Sequence, residues 1–328
     1  MSARALRIAL LTTSYPAAPG DAAGHFVQTQ ALALAAEGHR VTVFAPGPPK
    51  VALGNPREIW LADGGACGVP GLLTRLRQRP TRVVGLLRFG LATRAALHEQ
   101  APFDRVIAHW LIPSAFPLAW SATLTAEVEV VVHGSDARLL SRFPSRAARA
   151  VLSALMKRGA RFRCVSDELA SLLERLGPPG LAERIRVAPL PLNCSGAPSR
   201  ASARQQLELA PETRLVLVMA RLVPSKRVDT ALGAARLIPG LTVVVLGDGP
   251  ERLRLAQRYP DVLFLGQVPR DLALTWLAAA DALLSASREE GSPSVVREAR
   301  ALGVPVAALS CGDLTRWAAH DAGMWVVP

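Results

Sequence analysis

Ala282-Leu-Leu-Ser-Ala-Ser-Arg-Glu-Glu-Gly-Ser-Pro-Ser-Val-Val-Arg-Glu298 passes from a short apolar run through a Gly/Pro turn into a segment of helical period. A strand that turns through Gly291 and Pro293 into a helix presents the unpaired N–H groups of the helix's first turn, which together make an anion site. Glu290 stands before that turn and Glu298 lies inside the helix, so the two carboxylates can flank whatever the N-terminus binds. A phosphate with hydroxyl-rich groups on both sides fits. Taken alone, the segment also reads as a loop carboxylate followed by a surface helix carboxylate.

The same rhythm extends outward in both directions. Short β-branched runs at Leu215 to Met219, Thr242 to Leu246, Val262 to Leu265, Ala282 to Ser285 and Val304 to Ala307 alternate with Ala/Leu/Arg stretches of helical period. The first half repeats it with runs at Arg7 to Thr12, Arg40 to Ala45, Arg105 to Ala108, Val128 to Val132 and Arg161 to Val165. Alternation of this kind predicts βαβ units and parallel sheets. The chain has 328 residues, about twice a usual domain. Pro189 to Ser199, with three Pro, two Ser, one Gly and one Asn, reads as the linker between residues 1–190 and 191–328. The expected fold class is α/β, with two doubly wound, Rossmann-like domains facing a central cleft.

Composition narrows the function classes. Half the residues are apolar and 20% charged, which excludes intrinsic disorder. Cys67, Cys164, Cys194 and Cys311 form no metal-ligand or disulfide spacing, so neither a structural metal nor a disulfide framework is expected. The N-terminus lacks the apolar core of a signal peptide, and a cytoplasmic protein is expected. Val106 to Ala126 has no formal charge, but its prolines and hydroxyl residues predict a strand, a turn and a helix instead of a membrane span. The net charge is +12, and residues 1–165 carry +11 of it. Arg138, Arg142, Arg146, Arg149, Lys157, Arg158, Arg161 and Arg163 are its densest cluster. An anionic membrane surface and a solvated helix face both account for them. Nucleic acid is not expected, because no RNP, KH, zinc-finger or helix-turn-helix signature accompanies the charge.

Met219-Ala-Arg-Leu-Val-Pro-Ser-Lys226 sets Arg221 at a strand's carboxyl end and Lys226 at the entry to the next helix. Two cations there could clamp a diphosphate, Arg by its planar fork and Lys as a point charge. Leu246-Gly-Asp-Gly-Pro250 is a tight glycine turn that lacks the third glycine of a dinucleotide fingerprint. Taken in order with Phe264-Leu-Gly-Gln-Val268, the pair Glu290/Glu298 and Ala-Arg-Ala-Leu-Gly-Val-Pro-Val306, these motifs resemble the donor domain of retaining family 4 glycosyltransferases of GT-B fold. Ser14-Tyr-Pro, Gly24-His-Phe-Val-Gln, Gly38-His-Arg-Val-Thr-Val43 and Val132-His-Gly-Ser-Asp136 extend the resemblance over nearly the whole chain.

The resemblance implies an acceptor-side domain over 1–190 and a donor-binding domain over 191–328. It implies that Arg221 and Lys226 hold the donor diphosphate, Glu298 the ribose hydroxyls and Glu290 the donor sugar. Gly291, Ser292, Pro293 and Ser294 would position sugar and phosphate, with Gln267 and Val268 at the base edge. Gly24 would admit the phosphate, and His133 would reach the sugar from the N-terminal domain. Glu290 and His133 are the implied catalytic residues. His25 and His109 read as core or capping residues. Two departures stand out: Ala220 where the family has Gly, and Arg300 within Glu298-Ala-Arg-Ala. The chain also stops at Trp325-Val-Val-Pro328, where the family continues through helices returning to the first domain.

The implied reaction moves a hexosyl group from a nucleotide diphosphosugar to a glycan or lipid-linked acceptor, without metal or other cofactor. The chain has no Asp-x-Asp triplet, and Glu127-Val-Glu129 reads as a strand entry. A non-catalytic nucleotide-sugar-binding or scaffold subunit is the alternative, and nucleotide-sugar epimerisation fits the Glu and Arg/Lys pattern less well.

Overall fold

The computed structural model describes residues 4–18, 21, 23–68, 71–121 and 125–328. The chain divides into two compact units, one of Met1–Ala17 with Ala23–Pro191 and the other of Leu192–Pro328 with Ala18–Ala22. In the first, the strands are β1 (Arg7–Leu11), β2 (Arg40–Pro46), β3 (Lys50–Ala52), β4 (Arg57–Leu61), β5 (Arg105–His109), β6 (Glu127–Val132), β7 (Arg161–Cys164) and β8 (Ile185–Val187). They form one sheet in the order β3-β4-β2-β1-β5-β6-β7-β8. Only the β3–β4 pair is antiparallel among the described residues. Parallel strands are covered on both faces, which is why Ile8 to Leu11 and Val130 to Val132 run as unbroken, buried apolar segments.

The helices of this unit are α1 (His25–Ala36), α2 (Leu72–Gln78), α3 (Arg82–Glu99), α4 (Ser135–Leu140), α5 (Ser145–Lys157) and α6 (Asp167–Leu176). Ser166 caps α6 by accepting from Leu169 N at 3.3 Å. After β5 the chain forms two short helical turns, Leu111–Ala115 and Phe116–Trp120. This replaces the single helix expected there, because Pro113 and Pro117 each remove a backbone donor. Residues 122–124 of that stretch lie outside the described residues. Glu127 and Glu129 do stand at a strand entry. Glu129 is buried and ion-pairs with Arg105 and Arg186, so it belongs to a structural charge triad.

The second unit has β9 (Arg214–Met219), β10 (Leu241–Leu246), β11 (Leu263–Gly266), β12 (Ala282–Ser285), β13 (Val306–Leu309) and β14 (Met324–Val327). All are parallel, in the order β11-β10-β9-β12-β13-β14. Its helices are α7 (Arg200–Gln206), α8 (Val228–Ala235), α9 (Arg252–Arg258), α10 (Arg270–Ala279), α11 (Ser294–Ala301) and α12 (Leu314–Ala318). Successive residues of a strand feed opposite layers: Leu215 and Leu217 join the cluster with Val296 and Val306, while Val218, Val243 and Val245 join the one with Val228 and Leu255. The chain steps from β9 to β10 on one side and later returns to place β12 on the other. Between β9 and β12 the strand order reverses, and ligands of open α/β sheets bind outside the carboxyl ends at such a point. In the first unit the reversal falls between β1 and β5.

Candidate active site

Loops at the carboxyl ends of β9 and β12 meet in the second unit. The backbone N–H of Arg288 donates to Ser225 O at 2.8 Å, drawing the loop after β12 onto the loop after β9. Across this junction Lys226 Nζ ion-pairs with Glu290 Oε1, both side chains largely shielded from water. Arg221, earlier on the same loop after β9, is exposed. The structure therefore pairs one expected cation with the first expected carboxylate and places the other on the loop that carries the first.

The position of the Arg221 loop is set by backbone. Leu222 N donates to Asp248 O at 2.9 Å, Glu251 N to Leu222 O at 3.1 Å, and Ala220 N to Leu246 O at 3.0 Å. Gly247 and Gly249 make this approach feasible. A Cβ on Gly247 would lie 1.9 Å from Ala220 O, and one on Gly249 2.3 Å from Leu222 O; both have positive φ. The glycine turn after β10 thus works as a brace for the cationic loop.

Helix α11 has Pro293 at its N-cap, with no side-chain cap and no acidic residue in its first turn. Its first N–H groups and partial positive charge are therefore left for an anion. Gly291 is buried just ahead of it, and the hydroxyl of Ser292 is a buried polar atom with no hydrogen-bond partner among the described residues. Glu298, only 1% exposed, points from the same helix and accepts from Arg270 Nη2 at 2.9 Å. Arg270 opens α10 and follows directly on the Gln267–Val268 loop, so the region expected to meet the base reaches Glu298 through this guanidinium. Gln267 is exposed and Val268 packs at the edge of the core.

In the first unit, His133 follows β6 and sits among three rings. Ring centroids of Trp110, His109 and Phe26 lie 4.6, 5.1 and 5.2 Å from its own. Gly24 begins the helix that carries Phe26. Its φ is +66°, and a Cβ there would lie 2.1 Å from Ser14 O, so within this unit the glycine seats α1 against the loop after β1. Asp136, buried at the start of α4, accepts from Leu111 N at 2.9 Å, His133 N at 3.1 Å and Gly134 N at 2.9 Å. It ties the loop after β5 to the loop after β6. Burial raises its carboxyl pKa, and backbone donors, the N–H groups of Leu111 and Gly134 first among them, oppose the rise.

His109 Nδ1 lies 2.9 Å from His133 Nε2. Burial holds both rings neutral; His133 is pushed down to about 3 by burial and then by Arg163, and His109 falls well below its ordinary value through burial, His133 and Arg163. Nε2 of His109 is buried without a partner among the described residues. An orphaned N–H costs more than an orphaned lone pair, so hydrogen-bond accounting puts the His109 proton on Nδ1, donating to His133. His133 then carries its own proton on Nδ1, where it can donate to an acceptor oxygen. His109, read from sequence as a core residue, is the group that sets this tautomer.

The glycosyl transferase 4-like domain model matches residues 22–191, and the glycosyl transferases group 1 model matches residues 199–328. A Bacillus subtilis protein described as the teichuronic acid biosynthesis glycosyltransferase TuaC is 25% identical over 328 aligned residues, covering 94% of this chain and 82% of its own. Among solved structures, sucrose-phosphate synthase from Thermosynechococcus elongatus superposes with a TM-score of 0.78 at 22% identity, over 98% of this chain and 86% of that one. Anabaena Alr3699/HepE in complex with UDP and glucose gives 0.69 at 18% identity, over 98% and 85%. At these identities the two structural likenesses establish the GT-B fold.

Proposed function

Because the chain belongs to the glycosyl transferase 4-like family, and is in that coarse sense a glycosyltransferase, we propose that it moves a hexosyl group from a nucleoside diphosphate sugar to a glycan or lipid-linked acceptor. Configuration is retained and no metal ion takes part. Residues 191–328 hold the donor and residues 1–190 face the acceptor, at the cytoplasmic side of a membrane.

The observation that carries this reading is the grouping at the β9/β12 reversal: Arg221, Lys226, the uncapped start of α11 and the unpartnered Ser292 hydroxyl. Glycosyl transfer builds positive charge on the anomeric carbon while negative charge gathers on the departing diphosphate. Arg221, Lys226 and the α11 N–H groups supply the countercharge, which is the role a divalent ion would otherwise fill. In this reading the diphosphate takes over Lys226 from Glu290, freeing that carboxylate to meet the sugar hydroxyls. Glu298, oriented by Arg270, receives the ribose. His133 donates from Nδ1 to a sugar oxygen, and Gly24 lets its loop approach the phosphate. The UDP and glucose bound in the HepE structure are in keeping with this assignment.

Calorimetric titration of nucleoside diphosphate sugars tests the site. Arg221→Ala and Lys226→Ala should each weaken binding by about 1.5 to 3 kcal/mol, the worth of a charge-assisted contact. Arg221→Ala should do so with little loss of stability, whereas Lys226→Ala also leaves the shielded Glu290 carboxylate without its cation and should lower stability. Unchanged affinity in both variants removes the assignment. Proton NMR of the product's anomeric signal reports retention or inversion. Transfer that stops in excess EDTA and returns with Mg²⁺ or Mn²⁺ contradicts the metal-free mechanism, and binding without transfer identifies a non-catalytic subunit.

A further inference from the structure

We propose that the outer face of α3 docks on an anionic lipid bilayer. The proposal deepens the reading above, since it supplies the surface on which a lipid-linked acceptor would be met.

Helix α3 is apolar on two sides. Its inner side buries Leu86, Phe89, Gly90, Thr93 and Leu97 against the body of the unit. Its outer side repeats the pattern at i, i+4 and i+8: Val83, Leu87 and Leu91 are 46%, 65% and 63% exposed, and Val84 beside them is 50% exposed. A helix hydrophobic all round is ordinarily covered all round. Isolated exposed leucines are common on protein surfaces, but a contiguous stripe along one helix marks a contact site.

The charge around the stripe says what it contacts. Residues 64–98 contain six arginines and no Asp or Glu, and the acidic residue of α3, Glu99, closes the end of the helix away from the stripe. Of these, Arg77, Arg79 and Arg88 are exposed and make no ion pair among the described residues. An apolar stripe with an unneutralised guanidinium, Arg88, on its own helix and two more on the segment leading into it is complementary to acyl chains beneath anionic headgroups, and a helix of this kind lies in the interface plane. No helix of the described residues is long and apolar enough to cross a membrane. From Val83 to Leu91 the stripe is about 12 Å long.

The arginine cluster singled out in the sequence is different in kind. On α5, Arg146 and Arg149 are exposed beside Ser145, Ala147 and Ala150, with the apolar residues Val151, Leu152 and Leu155 turned inward. Arg138 ion-pairs with Glu168, while Arg158 and Arg163 donate to backbone carbonyls. On that face the exposed apolar side chain is Phe143, beside Arg142, and no apolar stripe runs along α5.

The full chain is tested by sedimentation with phosphatidylcholine vesicles prepared with and without phosphatidylglycerol. Binding is expected only with the anionic lipid and should weaken as salt shortens the screening length from about 10 Å at 0.1 M to about 3 Å at 1 M. Each of Arg77→Gln, Arg79→Gln and Arg88→Gln should weaken partitioning about fivefold. Leu87→Ser with Leu91→Ser should weaken it more than about tenfold, while melting temperature and calorimetric nucleotide-sugar binding stay unchanged. Three results overturn the proposal: no binding to anionic vesicles at low salt, loss of binding on Arg142→Gln/Arg146→Gln/Arg149→Gln but not on the α3 changes, or a dimer that the Leu87/Leu91 changes dissociate. The last would make a second copy the occupant. Donor binding is measured without lipid, so failure here leaves the nucleotide-sugar reading standing and failure there leaves docking to be judged by the vesicles alone.

Discussion

Acidification from pH 7 to pH 5 should destabilise the first unit through the His109–His133 pair. Both imidazoles are held neutral in the fold, His133 with a value of about 3 and His109 well below its ordinary value. In the unfolded chain each returns to about 6.5. Below that value the unfolded state binds more protons, so the stabilisation is present above about pH 6.5 and is lost as pH falls toward the folded values. Over this interval each ring removes about 2 kcal/mol, and the pair about 4 kcal/mol, against a typical total of 5 to 15. That size is the limit for a ring that stays neutral in the fold throughout the interval, as His133 does with its folded value of about 3. His109→Asn places an amide donor near the position of Nδ1, so His133 Nε2 keeps its partner while one titrating group disappears. Urea unfolding of both proteins at pH 7, 6 and 5 is the assay. The variant should lose about 2 kcal/mol where the parent loses about 4. Asp136, whose carboxyl burial raises, works in the opposite direction, but it is common to both proteins and cancels in the comparison. Equal losses in the two proteins would falsify the assignment of a buried neutral pair.

Three further outcomes follow from the geometry. Gly247→Ala puts a methyl group 1.9 Å from Ala220 O at positive φ; a stability loss above about 2 kcal/mol and weaker nucleoside diphosphate binding are expected together, by melting and calorimetry. Arg270→Gln takes the guanidinium from the buried Glu298 carboxylate and should cost about 3 kcal/mol. It should also narrow the affinity difference between ribose and dideoxyribose nucleotides, and an unchanged difference would separate Arg270 from ribose binding. Asp136→Ala removes the acceptor of three backbone N–H groups, so denaturant unfolding should report a loss of at least about 3 kcal/mol.

Much of the fold was legible because parallel strands advertise themselves. A run such as Leu215 to Met219, buried on both faces, has no polar alternation to confuse it with a surface strand, and its helices carry the longer period. The elements that escaped notice are short or mixed. Strands β3 and β4 flank Gly54-Asn-Pro56 and include Lys50, Arg57 and Glu58; β8 has three residues; β14 is a four-residue edge strand with Trp325 and Val327 exposed; and α2, α4 and α7 span two turns or less. None of these buries a full apolar stripe, so none leaves a periodic trace. At the site, Arg221, Lys226, Glu290 and Glu298 were found because each lies at a fixed offset from a strand end or turn. Arg270 was missed: its bond to Glu298 joins residues 28 positions apart, and nothing in local spacing marks it. His109 was undervalued because a histidine at a strand end looks the same whether it fills the core or holds another ring in place. That the Ser292 hydroxyl has no partner among the described residues could be recognised only from the folded arrangement.

The brace behind Arg221 bears on how the site can change. Main-chain groups of residues 220–222 and 246–251 hold the cationic loop, and these groups are the same whatever side chains the loop carries. Substitutions at Arg221 or Ser225 can therefore alter charge, reach or hydrogen-bonding capacity while the loop's path is conserved. Gly247 and Gly249 are the points that tolerate no side chain. Variation is thus channelled: two positions stay frozen so that their neighbours can be exchanged, and a library randomised at the loop with both glycines retained should yield folded proteins that differ in ligand preference.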